Sequence, residues 1–152
     1  IRTMKPEEMW ERYCKENNLS SEVYDEAWAF GGEPDKLAEL VVQGVKTATS
    51  SLYILYELEQ ESLPKEGSYS IILDSRGEAK CIIKTTRVYV VPYNKVSDTH
   101  AYREGEGDRS LTYWREVHKE FFTNCLRKAG LSFSETMKVV CEEFEICYFY
   151  YA

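Results

Sequence analysis

Between Val41 and Ile54 one charged residue, Lys46, stands among hydroxyls in the run Val45-Lys46-Thr47-Ala48-Thr49-Ser50-Ser51. A lysine on a weakly charged, partly desolvated loop gives up its proton more readily and can act as a base. A neighbouring hydroxyl is then the natural nucleophile. Spacing matters: in a strand positions 46 and 49 point to opposite faces, whereas in a turn residues three apart meet. The same run also reads as a solvated lysine just past a helix C-terminus, where positive charge is favourable.

A second group of candidates is Glu104-Gly105-Glu106-Gly107-Asp108, three carboxylates alternating with two glycines. Glycine lets a backbone approach a ligand closely, and clustered carboxylates push one pKa upward, as an acid/base group requires. The stretch lacks the ligand spacing of an EF-hand loop. It also reads as an acidic surface loop before a helix N-terminus. His118 falls on an apolar stripe and reads as a hydrogen-bonded core residue; His100 sits in a polar context. Arg87 beside Tyr89 suits an anion or a stacked base.

The elements that must position these residues follow from periodicity. Helices are expected over 6–17, 21–28, 35–43, 51–60 and 111–128, with a short helix or turn over 97–103. In the 111–128 helix, Leu111, Trp114, Val117, His118, Phe121, Phe122 and Cys125 make a wide apolar stripe, so Trp114 and Phe121 are expected to be core. Strands are expected over 69–74, 79–91 and 138–150, with a hairpin turn at 74–77. In the 79–91 strand Ile83, Thr85, Arg87, Tyr89 and Val91 should share a face. Residues 46–51 are expected to be a polar connection and 104–108 a loop. Helices, then strands, then a long helix and a strand indicate an α+β fold.

The 152 residues suit one domain, over residues 4–152, with 4–28 as an N-terminal helical extension. Ile1-Arg2-Thr3 are expected to be a remnant of cloning and Met4 the natural start. Five cysteines without a CxxC pair and two distant histidines argue against a zinc site, so neither metal nor other cofactor is expected. The cysteines read as free thiols in a reducing compartment, and no 18-residue apolar run or leader is present, which points to the cytoplasm. The net charge of −7 disfavours a DNA duplex or a long RNA.

Taken together, these segments resemble the ASCH domain, a branch of the PUA-like superfamily. The resemblance is carried by Trp28-Ala29-Phe30-Gly31, Gly44-Val45-Lys46-Thr47-Ala48-Thr49, Glu104-Gly105-Glu106-Gly107-Asp108-Arg109-Ser110-Leu111, Trp114-Arg115 and His118. It implies a single-domain β-barrel with flanking helices and a cleft around the Lys46–Thr49 loop. Some relatives are described as ribonucleases and a smaller one as an acetylcytidine amidohydrolase. That enzyme's lysine and threonine match Lys46 and Thr49. Its glutamate follows a stretch matched by His100-Ala101-Tyr102-Arg103-Glu104, which makes Glu104 the third member and Glu106 its rival. Thr47, Ser50, Arg87, Glu106 and Asp108 are the expected substrate contacts.

Three functions follow: hydrolysis of an amide or ester on a modified nucleoside, cleavage of single-stranded RNA, or binding of a nucleoside, nucleotide or short RNA without chemistry. Long single-stranded RNA should bind weakly at physiological salt, because the basic residues at 80–95 divide between two faces of a strand. A salt series, with Arg87→Ala as control, should give a shallow slope of about one to three phosphate contacts; a steep one is expected only when about six or more are engaged.

Overall fold

A computed structural model describes residues 3–19 and 22–149. The described elements, in chain order, are α1 (Pro6–Glu16), β1 (Glu26–Ala29), α2 (Pro34–Val42), β2 (Ala48–Leu52), α3 (Tyr53–Glu59), β3 (Tyr69–Leu73), β4 (Ala79–Pro92), α4 (Asp98–Glu104), α5 (Leu111–Lys128) and β5 (Lys138–Phe149), with one 3-10 turn at Tyr93–Lys95. The strands form one half-barrel sheet in the order β1-β3-β4-β5-β2. β1 runs parallel to β3, and the other pairings are antiparallel. This is the α+β, barrel-like architecture with flanking helices expected from the sequence.

Local chemistry explains several element ends. Pro6 and Pro34 occupy the first turns of α1 and α2, where a missing N–H costs nothing. Ser97 and Ser110 cap α4 and α5 by accepting from the His100 and Tyr113 N–H groups. In the β3–β4 hairpin, Asp74 accepts from the N–H groups of Arg76 and Glu78.

Packing divides the core between the helices. Met9, Trp10 and Tyr13 of α1 pack with Tyr69, Ile71 and Ile82. Leu37, Ala38 and Val41 of α2 pack with the alternate residues Ile72, Cys81 and Ile83, and with Phe144. The two helices thus cover opposite faces of the β3–β4 pair. Trp114, Phe122 and Leu126 of α5 pack with Ala101 of α4 and with Leu52, Val139 and Cys141 at the β2–β5 end of the sheet.

Three expectations are corrected. Residues 26–29 are not helix but β1, because the free edge of β3 offers backbone partners that outweigh the helix propensity of two alanines; residues 20 and 21 lie outside the described residues. Within the segment 4–28, α1 packs into the core against β3 and β4. The connection at 46–51 becomes β2 from Ala48, and the helix after it starts at Tyr53, because pairing with β5 claims Ala48–Leu52. The single face assigned to Thr85 and Arg87 is split by a bulge. Thr85 pairs with Phe144 and Arg87 with Glu143, so Thr86 is the extra residue and the faces exchange.

Because α1 is integral to the core, Trp10→Ala should destabilise the whole domain. Trp10 is 9% exposed and packs edge-on against Tyr24 and Tyr69. Chemical denaturation should show a loss of roughly 3–5 kcal/mol in one cooperative transition; an early transition confined to α1 would mark it as a separate appendage.

Candidate functional site: a buried lysine between two carboxylates

The site forms where the loop entering β2 meets the end of α4 and one flank of α5. Gly44, with φ of 78°, turns the chain out of α2, and the Val45 and Lys46 N–H groups return to the Leu40 carbonyl. Thr47 is pinned between α4 and β5: its N–H donates to the Arg103 carbonyl at 2.7 Å, and its carbonyl accepts from the Phe144 N–H at 3.0 Å. These bonds aim the Lys46 side chain inward.

The alternating glycines of 104–108 serve close packing. A Cβ on Gly105 would lie 2.6 Å from the Val45 carbonyl oxygen, and one on Gly107 would lie 2.5 Å from the Tyr113 ring; both have positive φ. Arg109 fastens the loop by donating to the carbonyls of Tyr102 and Val45. Glu104 is the last residue of α4 rather than a loop residue.

Lys46 is 1% exposed. Its Nζ donates to Glu104 Oε1 and Glu106 Oε2, both at 3.0 Å, and approaches the Glu104 carbonyl at 3.4 Å. The Phe30 ring lies 5.2 Å away. The second oxygen of Glu104 accepts from Ser50 Oγ at 2.6 Å and from the Trp114 indole N–H. His100 Nε2 and His118 Nε2 lie 3.3 and 3.4 Å from that same oxygen.

The hydrogen bonds assign the protons. The Trp114 carbonyl can only accept, so His118 Nδ1, 2.8 Å from it, carries a hydrogen. Its Nε2 then faces a carboxylate, which favours the doubly protonated ring. Burial alone would lower the His118 pKa, but Glu104 outweighs it and the net shift is upward. Ser50 donates to Glu104, so it accepts from His100 Nε2–H, 2.7 Å away.

Burial would likewise raise the Glu104 carboxyl, but Lys46 and then His118 hold it well below the ordinary range. For Lys46, burial pulls the pKa down while Glu104 and Glu106 pull it further up, and the net is a raised value. The expectation of a depressed lysine acting as base is therefore corrected. Two adjacent carboxylates keep Lys46 an ammonium, a donor and a fixed positive charge.

Above this floor lies a cavity of about 430 Å³, walled by Phe30, Tyr113, Val117 and Phe121, with Thr49 and Ser50 at its margin. A Cβ on Gly31 would meet the Phe121 ring at 2.6 Å, so glycine lets that wall close in. Phe121, expected in the core, is half-buried and lines the cleft; Trp114 is buried as expected. Among the described residues the Thr49 hydroxyl has no protein hydrogen-bond partner. The structure brings together Lys46, Thr49, Ser50, Glu104 and Glu106.

Three of the expected contacts lie elsewhere. Thr47 is consumed in anchoring the loop. Asp108 accepts from the Ser110 N–H at 2.9 Å and steadies the start of α5. Arg87 sits over Tyr89 and pairs with Glu143 at 3.3 Å, outside the cleft. Conversely, His118 belongs to the site rather than to the core alone, and His100 and Trp114 complete it. The sequence signal was their spacing: His100 with Glu104, and Trp114 with His118, are four apart on helices, where side chains meet.

Glu104, Glu106 and His118 offer ligand-type atoms within 4.8 Å of one another, as a cation site would. Lys46 Nζ already supplies the positive charge between the two carboxylates.

The family model described as the ASCH domain matches residues 26–148. The chain belongs to the ASCH domain family. An ASCH domain from Lactobacillus crispatus JV V101 is 32% identical, with 92% of each chain covered and a TM-score of 0.87. The protein EF3133 from Enterococcus faecalis V583 is 39% identical over 92% of this chain and 86% of that one, with a TM-score of 0.84. The hypothetical protein PH0355, 19% identical with a TM-score of 0.53, shares the fold. No curated protein matches. Among the described residues no helix of this ASCH domain is long and apolar enough to cross a membrane.

The raised His118 pKa makes the ASCH site a pH-dependent stabiliser. Its contribution is fully present below about pH 6.5, the ordinary histidine value, and is lost as pH rises through the folded-state value. Thermal melts across neutral and alkaline pH should fall in the wild type and fall less steeply in His118→Gln. Equal slopes would mean that His118 is not charged in the folded state.

Proposed function

We propose that this ASCH domain binds a nucleoside-type ligand in the cleft and hydrolyses an amide or ester carried on it. The observation that carries the reading is the buried Lys46 ammonium, fixed between Glu104 and Glu106 at the floor of an aromatic-walled cavity. A cavity of this size suits one small planar molecule held by stacking and a few polar groups.

A fixed ammonium in a dry site favours the negative charge that develops on a carbonyl oxygen under attack. Glu104 is saturated by Lys46, Ser50, Trp114 and His118, so its part is to hold Lys46 in place. The Glu106 side chain is 18% exposed and reaches the cleft. Glu106 takes the proton of an attacking water as the water oxygen bonds to the carbonyl carbon. It returns that proton to the leaving nitrogen or oxygen as the acyl bond breaks. Thr49, with its hydroxyl unengaged, orients the water or the ligand.

The test is a turnover screen of the full chain against acylated nucleosides and short single-stranded RNAs. Release of the acid from an acylated nucleoside is expected, falling about 10²–10³-fold in Lys46→Ala, as when a charge-stabilising donor is lost. Because Lys46→Ala leaves two carboxylates facing each other, Glu106→Gln and Thr49→Ala are measured beside it, with melting curves on each. Ligand binding without turnover would identify a binding module. RNA cleavage without nucleoside turnover would identify a ribonuclease.

A further inference from the structure

We infer that the cleft selects an unphosphorylated, uncharged or cationic ligand and rejects the phosphorylated form of the same molecule. The inference deepens the small-ligand reading above and rests on it for the ligand's class. The charge filter itself stands on the lining alone.

Four carboxylates line the cavity: Glu104 and Glu106 at the floor, Glu33 and Glu120 at the rim. Against them stand Lys46 and His118, which leaves two net negative charges even with His118 protonated. The Lys46 charge is already offset by two carboxylates at 3.0 Å, so it adds no net attraction for a phosphate group. Lys36 approaches Glu33 at 3.9 Å, but both side chains are mostly exposed, so solvent screens the pair.

No arginine lines the cavity among the described residues. Arg87 and Arg103 are drawn away onto Glu143, at 3.3 and 3.1 Å. Arg109 is committed to the Tyr102 and Val45 carbonyls.

A phosphate could instead be held by backbone N–H groups at a helix start. The start of α2 does face the cavity, through Gly31, Gly32 and Glu33. Three features weaken that route. Pro34 has no N–H, the Glu33 N–H is spent on the Gly31 carbonyl at 3.1 Å, and the Glu33 carboxylate guards the turn. The walls, by contrast, offer Phe30, Tyr113 and Phe121 to a planar ring, and no charge is needed for stacking.

Two measurements on the full chain test the inference. In the first, amide relaxation is compared in the presence of a carboxylate-bearing and an ammonium-bearing nitroxide of similar size. The cationic probe should relax the Gly31 and Gly32 N–H groups more strongly than the anionic one. The bias should shrink in Glu33→Gln/Glu120→Gln, whose altered side chains are exposed. Equal relaxation, or a bias toward the anionic probe, overturns the filter whether or not any nucleoside binds.

In the second, a nucleoside that binds is compared with its 5′-monophosphate, using the buried Trp114 indole N–H as reporter. The monophosphate should bind at least about tenfold more weakly at low salt, with the gap narrowing as salt screens it. A monophosphate that binds as tightly as the nucleoside overturns the inference. So does a gap that neither salt nor the double variant changes, since shape would then exclude the phosphate. Failure of every nucleoside to bind, with the cationic bias intact, removes the nucleoside reading and leaves the filter standing.

Discussion

A fully buried ammonium is the constraint on which the rest of this structure depends. Desolvating a lysine is expensive unless opposite charge and hydrogen-bond acceptors surround it. Lys46 meets that demand with Glu104, Glu106 and a backbone carbonyl. Glu104 is itself buried and needs donors in turn, which come from Ser50 on β2 and from Trp114 and His118 on α5. The loop before β2, the strand, α4 and α5 are therefore tied to one another by polar contacts in the interior. The close approach of Gly105 to the Val45 carbonyl is what brings the two carboxylates within reach of the lysine.

The same physics produces opposite outcomes for two glutamates of this chain. Glu104 is deeply buried, yet the charges of Lys46 and His118 keep it ionised. Glu142 is 7% exposed and has the Thr85 hydroxyl, 2.7 Å away, as its described hydrogen-bond partner. Burial therefore raises its pKa, and the negative charges of Glu26 and Asp25 add to the effect. What distinguishes them is the presence of a cation, not the depth of burial. In the cleft, this turns Lys46 from a potential base into a fixed charge.

α5 serves both the core and the cleft because a helix presents different faces. Trp114, Phe122 and Leu126 pack with the sheet and α4. Tyr113, Val117 and Phe121 wall the cavity. His118 joins the two, stacked on Trp114 with ring centroids 4.2 Å apart and aimed at Glu104. The site is thus mounted on a rigid element whose other face is held by apolar burial, an arrangement that keeps polar groups in fixed geometry.

The residue pattern by itself determined that this is an α+β chain with helices near 6–17, 35–43 and 111–128 and strands near 69–74, 79–91 and 138–150. Those elements carry long periodic signals of their own. It also singled out the Lys46–Thr49 run and the three carboxylates of 104–108, since a lone charge among hydroxyls and carboxylates spaced by glycines stand out locally; the choice of Glu104 among the carboxylates came from the resemblance to the ASCH domain. Tertiary structure decided what local patterns do not encode. β1 and β2 exist because neighbouring strands offer edges to short segments with no strong preference. Arg87 stands outside the cleft because Glu143 and the Tyr89 ring hold it elsewhere on the sheet. The protonation of Lys46 was settled by Glu104 and Glu106, 58 and 60 residues away in sequence. Charge–charge energy depends on distance in space and on the exclusion of water, and neither is written in the order of residues.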